Sequence, residues 1–169
     1  MNKLLIQKTE AFLKQKLDGG AYLNAHPEAK AYRLEHTYRV ANIGKTIARK
    51  EGFDETEMVI ACLLHDVSYC EDFGENGWRE HGRAAARIAR PFLGELGLPE
   101  PRIEDICYGI AIHVDDEADF PGVRTPFALT VGTRTTSTGW TSIGSTRPSA
   151  PTNSWSCPGR KSWPWRKGA

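Results

Sequence analysis

Apolar residues recur along residues 1–131 at the three- and four-residue spacing of amphipathic helices. The pattern predicts helices at residues 2–17, 28–51, about 55–67, 78–96 and 101–113, and the start of a sixth helix in the segment TPFALTV. Glycine and proline separate these segments, and strand-like alternation is almost absent. The fold class is therefore all-α, an irregular bundle of about six helices.

The chain changes character near Gly132. Residues 132–169 are rich in Ser, Thr, Pro and Gly, have no Asp, Glu, Leu or Val, and hold four of the five Trp. No apolar period survives there. The sequence predicts a helical domain at 1–131 and a non-helical, low-complexity tail at 132–169, which is either disordered or derived from a frameshift.

We interpret the tail as the product of a frameshift near Val131. If each codon of residues 132–144 is read from its third base, the degenerate code permits the peptide DADNIDRLDIYR, and Trp140-Thr141 must then give Asp. The alternative is a genuine divergent, disordered tail. The nucleotide sequence distinguishes the two.

Charge and cysteine content exclude several functional classes. The chain has 22 basic and 21 acidic residues, and without the six basic residues of the tail 16 basic residues face 21 acidic ones, which gives no case for a nucleic-acid polymer as partner. No apolar run is long enough to span a membrane, and the charged N-terminus does not resemble a signal peptide. Four cysteines without CxxC spacing fit a cytoplasmic location.

The strongest chemical signal is the pair His65-Asp66 at the end of the apolar run MVIACLLHDVSYC. A third group, His36, lies in a separate amphipathic helix. Imidazole and carboxylate ligands suit a divalent Mn, Fe, Ni, Mg or Zn ion better than they suit an apolar core. The alternative is a buried, hydrogen-bonded histidine followed by a capping aspartate.

His36 followed by Arg39-Val40, together with LLHDVS at 63–68, resembles the HD-domain metal-dependent phosphohydrolases. The resemblance covers roughly residues 20–131. It implies an all-helical fold that binds one or two divalent metals through the pattern H…HD…D, with His36, His65 and Asp66 as the first three ligands. No acidic residue follows Asp119, so the last aspartate of the pattern has no counterpart in this chain.

The resemblance also implies roles for two further histidines. His81 and His113 fall where the two-metal branches of the family place additional ligands, so they would hold a second metal or contact the substrate; the alternative for each is a surface or N-cap histidine. Arg39 lies one turn after His36 and would bind a phosphate, unless it forms a surface ion pair with Glu35. Asp66 would be a ligand that also orients the attacking water.

The expected function is hydrolysis of a nucleotide or another small phosphate ester, impaired by the missing aspartate. Two alternatives stay open at this point. One is a catalytically inactive helical module that binds a nucleotide or a protein partner. The other is an oxygenase that holds two irons in the same H…HD frame.

Overall fold

The computed structural model describes residues 1–71, 77–114 and 120–136, all within one compact unit. These residues form seven α-helices and one short 3-10 helix, and none of them lies in a strand, which confirms the all-α fold class. The α-helices are α1 (Lys3–Gly19), α2 (Ala21–Ala25), α3 (Pro27–Glu51), α4 (Glu55–Leu64), α5 (Gly77–Glu95), α6 (Glu100–Ala111) and α7 (Pro126–Thr136), and the 3-10 helix is Val67–Cys70.

Helix boundaries follow from the residues that satisfy the terminal backbone groups. The Asp54 carboxylate accepts hydrogen bonds from the backbone N–H groups of Thr56 and Glu57, which starts α4 as the sequence predicted. Helix α3 ends at Gly52, whose φ of 76° lies in the left-handed region that glycine adopts without steric cost. Between them these two residues turn the chain so that α3 and α4 pack side by side.

Helix α4 is the centre of the core. Eight of its ten residues are buried, and it packs against α1, α3, α6 and α7. Each buried aliphatic side chain of this kind stabilises the fold by about 1.5–3 kcal/mol relative to exposure. Because α4 is covered on all sides, the residues that follow its last turn, His65 and Asp66, are also held inside the protein, with exposed fractions of 0% and 5%.

The structure corrects two predicted boundaries and adds one helix. Helix α4 ends at Leu64 rather than near 67, because Asp66 leaves helical geometry (φ −109°, ψ 14°) and a 3-10 turn follows. Helix α2 was not predicted; its single buried residue, Leu23, packs into the core. Helix α7 continues to Thr136, so the tail is helical for five residues beyond 131, where buried Gly132 packs against Ile112.

The rest of the predicted tail, from residue 137 onward, lies outside the described residues. Among the helices that are described, none combines the length and the apolar character needed to cross a membrane.

Candidate metal centre

Residues in or directly after four helices bring four histidines and one aspartate together in one cluster. His36 lies in the middle of α3, His65 and Asp66 directly follow α4, His81 lies in α5, and His113 follows α6. Helix α3 packs on α4, and this pair brings His36 to His65 and Asp66. Helix α5 packs on α6, and this second pair brings His81 to His113. His65, Asp66, His81 and His113 are buried and His36 is half-buried, so the cluster opens towards α3.

Asp66 is the centre of this cluster. Its Oδ2 atom lies 3.6 Å from His36 Nε2 and 3.4 Å from His65 Nε2. Its Oδ1 atom lies 3.5 Å from His81 Nε2 and 3.4 Å from His113 Nε2. One carboxylate therefore presents each of its two oxygens to a separate pair of imidazoles, and forms two ligand sets that share Asp66.

Hydrogen bonds to backbone carbonyls orient two of the imidazoles. His65 Nδ1 lies 2.7 Å from the carbonyl oxygen of Cys62, and His113 Nδ1 lies 2.6 Å from that of Ile110. A carbonyl oxygen only accepts, so Nδ1 carries the hydrogen in both rings. In the neutral ring Nε2 then presents its lone pair to the cluster, as metal-binding histidines held by a backbone carbonyl do.

Within each ligand set, the distances between the donor atoms fit the binding of one cation by that set. His36 Nε2 lies 3.2 Å from His65 Nε2, and His81 Nε2 lies 3.1 Å from His113 Nε2. Two nitrogen ligands about 2.1 Å from one metal, at angles of about 90–110°, lie about 3.0–3.4 Å apart. The donor atoms of each set also lie within 4.8 Å of one another. The described residues thus contain two His/Asp groups that can hold a divalent metal.

The electrostatics of the cluster favour the protonation states that bind a metal, an ionised Asp66 and a neutral His36. Burial alone would raise the pKa of Asp66, but the neighbouring His65 and His113 outweigh it and hold that pKa well below its usual range. Burial lowers the pKa of His36 and so favours its neutral form. Burial also disfavours a charge on His65, but the attraction of Asp66 outweighs burial and raises the pKa of this histidine. At lower pH a metal must therefore displace a proton from His65.

The structure places a different arginine beside the cluster from the one that the sequence suggested. Arg33 Nη1 lies 3.3 Å from Asp66 Oδ2, whereas Arg39 Nη1 pairs with Glu35 Oε1 at 3.1 Å. Both partners of the Arg39–Glu35 pair are largely exposed. The phosphate-binding role of Arg39 remains a prediction, and the geometry matches the alternative, a surface ion pair. Arg33 precedes His36 by one helical turn, a spacing that was available in the sequence.

Tyr69 completes the wall next to Asp66. Its ring centre lies 3.5 Å from Arg33 Cζ and 5.1 Å from the ring centre of His81. Burial is the main cause that raises the pKa of its phenol to about 12, so the side chain stays neutral. Sequence reasoning did not single out Tyr69, although it stands three residues after Asp66 in the 3-10 helix that begins at Val67.

A separate cavity of about 460 Å³ lies near the start of α7, between Phe53, Arg102 and Phe127. None of the clustered histidines lines it. Its one arginine is already neutralised: Arg102 Nε donates to Glu57 Oε2 at 2.8 Å, and Arg102 Nη1 donates to Asp105 Oδ2 at 2.9 Å. The cavity therefore offers no unpaired arginine to an anionic ligand, and the His/Asp cluster is the stronger candidate site.

Comparison with known proteins agrees with this choice. The family model described as HD domain matches residues 33–129, which is more than half of the chain. The matched span contains His36, His65, Asp66, His81 and His113, and it excludes α1 and α2. No solved structure matches the chain.

Proposed function

The chain belongs to the HD-domain family, as its resemblance at His36 and LLHDVS (residues 63–68) implied, and we propose that it is a metal-dependent phosphohydrolase that acts on a nucleotide or another small phosphate ester. Membership of this family supports a metal-dependent hydrolase type of superfamily. Support for the phosphohydrolase comes from a single observation: four imidazole Nε2 atoms converge on the two oxygens of one buried carboxylate.

In this proposal the two ligand sets have related tasks. His36, His65 and Asp66 would hold one divalent cation, and Asp66, His81 and His113 would hold a second. Bound divalent cations lower the pKa of water to near neutrality and offset the charge that builds on a phosphoryl group. The buried Asp66 keeps both sets at a fixed separation, and the carbonyls of Cys62 and Ile110 keep the His65 and His113 rings turned towards them.

The missing acidic residue limits the site that we propose. No Asp or Glu follows Asp119, so helix α7 supplies no carboxylate to the cluster. A lost ligand or supporting group at a metal site typically costs about 10–100-fold in affinity or activity. We therefore expect weak turnover, with Mn, Fe, Ni, Mg and Zn as the ions to compare. The same observation favours the second candidate, an inactive module that binds a nucleotide or a protein partner.

A cytoplasmic location and a small phosphorylated substrate, rather than a nucleic-acid polymer or a membrane, are parts of the proposal. Free Cys62, Cys70 and Cys107 in the described residues support a reducing compartment, in which thiols stay unpaired. The opening of the cluster at α3, beside the half-buried His36, supports access for a small molecule.

The test uses the full chain stripped of metal by a chelator and reloaded with one ion at a time. Phosphate release from a panel of nucleotides is measured for the wild type, His36→Gln, Asp66→Asn and the matched control His26→Gln. His26 is a partly exposed histidine that pairs with Glu28 outside the cluster. We expect metal-dependent release that is lost in His36→Gln and Asp66→Asn and retained in His26→Gln.

Two results would speak against the phosphohydrolase. Metal that binds in a stoichiometric amount without any phosphate release would favour the binding module. Release that persists in Asp66→Asn would mean that the clustered carboxylate does not carry the reaction.

A further inference from the structure

Arg33 is a charged side chain that contacts the cluster. The function proposed above gives it no role. Only 19% of its side chain is exposed, and its Nη1 atom lies 3.3 Å from Asp66 Oδ2. Its guanidinium Cζ lies 3.5 Å from the ring centre of Tyr69, and the ring centre of Tyr32 lies 5.6 Å away on the same helix. The guanidinium thus lies over one aromatic ring while its Nη1 atom contacts the cluster.

The oxygen that Arg33 contacts also belongs to a ligand set. Asp66 Oδ2 is the carboxylate oxygen that faces His36 and His65. A guanidinium on that oxygen and a divalent cation between the two histidines would compete for the same lone pairs. The two positive charges would also repel each other across a few ångströms of protein interior, where screening by water is weak. A cation at this set therefore weakens the contact between Arg33 and Oδ2 and favours movement of Arg33 away from that oxygen.

Arg33 does not have to leave the site when it moves. Its side chain has several rotatable bonds, and the face of Tyr69 continues to hold the guanidinium plane near the opening beside His36. From there its fork of N–H donors matches the oxygens of a phosphoryl group, which it can bind through two parallel hydrogen bonds. Arg39 lacks this position, because it is exposed and pairs with Glu35.

We propose that Arg33 is a displaceable counter-ion: it neutralises Asp66 in the metal-free protein, and it binds the phosphoryl oxygens of the substrate once a divalent cation has taken its place. The inference rests on the proposed function for the identity of the substrate. It goes beyond that function in linking metal occupancy to phosphate affinity through one side chain.

The experiment measures two affinities in the full chain by calorimetry. Mn²⁺ is titrated into the metal-free protein, and inorganic phosphate is titrated into the Mn²⁺-loaded and the chelator-treated protein. The wild type is compared with Arg33→Gln, Arg33→Lys and the matched control Arg49→Gln, an exposed arginine on the same helix that pairs with Glu55 away from the cluster. Thermal unfolding confirms that each variant is folded.

Opposite changes in the two affinities are expected for Arg33→Gln. Mn²⁺ binds roughly tenfold more tightly, because a hydrogen-bonded competing charge is gone, and phosphate binds the Mn²⁺-loaded protein roughly tenfold more weakly. Arg33→Lys keeps the charge, so its Mn²⁺ affinity stays near that of the wild type, but it loses the fork and binds phosphate more weakly. Arg49→Gln changes neither affinity.

A purely structural role for Arg33 predicts a different pattern. If Arg33 only positions Asp66, Arg33→Gln weakens Mn²⁺ binding, and that result overturns the inference. An unchanged phosphate affinity in both Arg33 variants overturns it as well. Phosphate release from nucleotides is assayed in parallel: opposed affinities without turnover contradict the hydrolase alone, and turnover without opposed affinities contradicts the role of Arg33 alone.

Discussion

Gly82 is the contact point that allows His81 to meet His113, and its replacement by alanine is a sharp test of the cluster. A Cβ atom at position 82 would lie 2.7 Å from the carbonyl oxygen of Ala111, 3.2 Å from that of Ile110 and 3.2 Å from His113 Nδ1. Ordinary van der Waals contact begins near 3.4 Å. Two of these atoms form the hydrogen bond that orients His113, so Gly82→Ala should separate α5 from α6 and turn this ring.

The magnitude follows from two opposing effects. Overpacking of a buried contact typically costs about 1–3 kcal/mol, and alanine gains up to about 1 kcal/mol over glycine in a helix interior. We therefore expect Gly82→Ala to lose about 1–2 kcal/mol of unfolding free energy. Gly94 is the matched control on the same helix: it is exposed, and a Cβ atom at position 94 would meet no neighbouring atom within 4 Å, so Gly94→Ala should be neutral or slightly stabilising.

Urea denaturation and Mn²⁺ titration measure the two consequences. Gly82→Ala should shift the urea midpoint downwards without a change in slope, and it should weaken Mn²⁺ binding at the set that contains His81 and His113. Gly94→Ala should bind Mn²⁺ like the wild type. A Gly82→Ala variant as stable as the wild type and with the same Mn²⁺ stoichiometry would refute the close approach of α5 and α6 that the cluster requires.

Three further predictions concern other parts of the chain. In the metal-free protein NMR should find His36 titrating below pH 6.5 and His65 above it; the charged His65 then stabilises the fold fully below pH 6.5, and the advantage of the wild type over His65→Gln should shrink as pH rises through the folded pKa. Burial raises the pKa of the Cys62 thiol to about 12, so iodoacetamide at pH 8 should leave Cys62 unmodified until the protein unfolds, and mass spectrometry of the folded protein would reveal an error. Sequencing of the gene should show that a single-base shift near Val131 opens an acidic helical frame; if no such frame exists, the frameshift interpretation is wrong.

Local signals made much of the fold predictable from the sequence. Long amphipathic segments with clear caps, such as α3 with Gly52 after it and α4 with Asp54 before it, were predicted within a few residues. Helix α2 was missed because five residues are too short to show a helical period, and burial of Leu23 depends on tertiary packing. The continuation of α7 past Val131 was missed because a segment rich in Thr and Gly has low helix propensity.

Part of the candidate site was likewise predictable from the sequence, and part depended on the tertiary packing. The adjacent pair His65-Asp66 and the preceding His36 form a motif that is visible in the sequence. The sequence could not predict that His81 contacts His113, because 32 residues separate them and only the packing of α5 on α6 brings their Nε2 atoms together. The sequence places both Arg33 and Arg39 one turn from His36, so this spacing does not choose between them. Only the direction of each side chain in the fold separates a cluster contact from a surface ion pair.

Metal content measured together with phosphate release tests the central claim most directly. The wild type and His65→Ala are purified, loaded with each divalent ion in turn, analysed for bound metal, and assayed on the nucleotide panel. We predict that the wild type retains a divalent metal and releases phosphate, and that His65→Ala binds less metal, because one of the two ligand sets is broken, and loses the phosphate release. A wild type that retains no metal and releases no phosphate would contradict it, as would turnover that survives in His65→Ala.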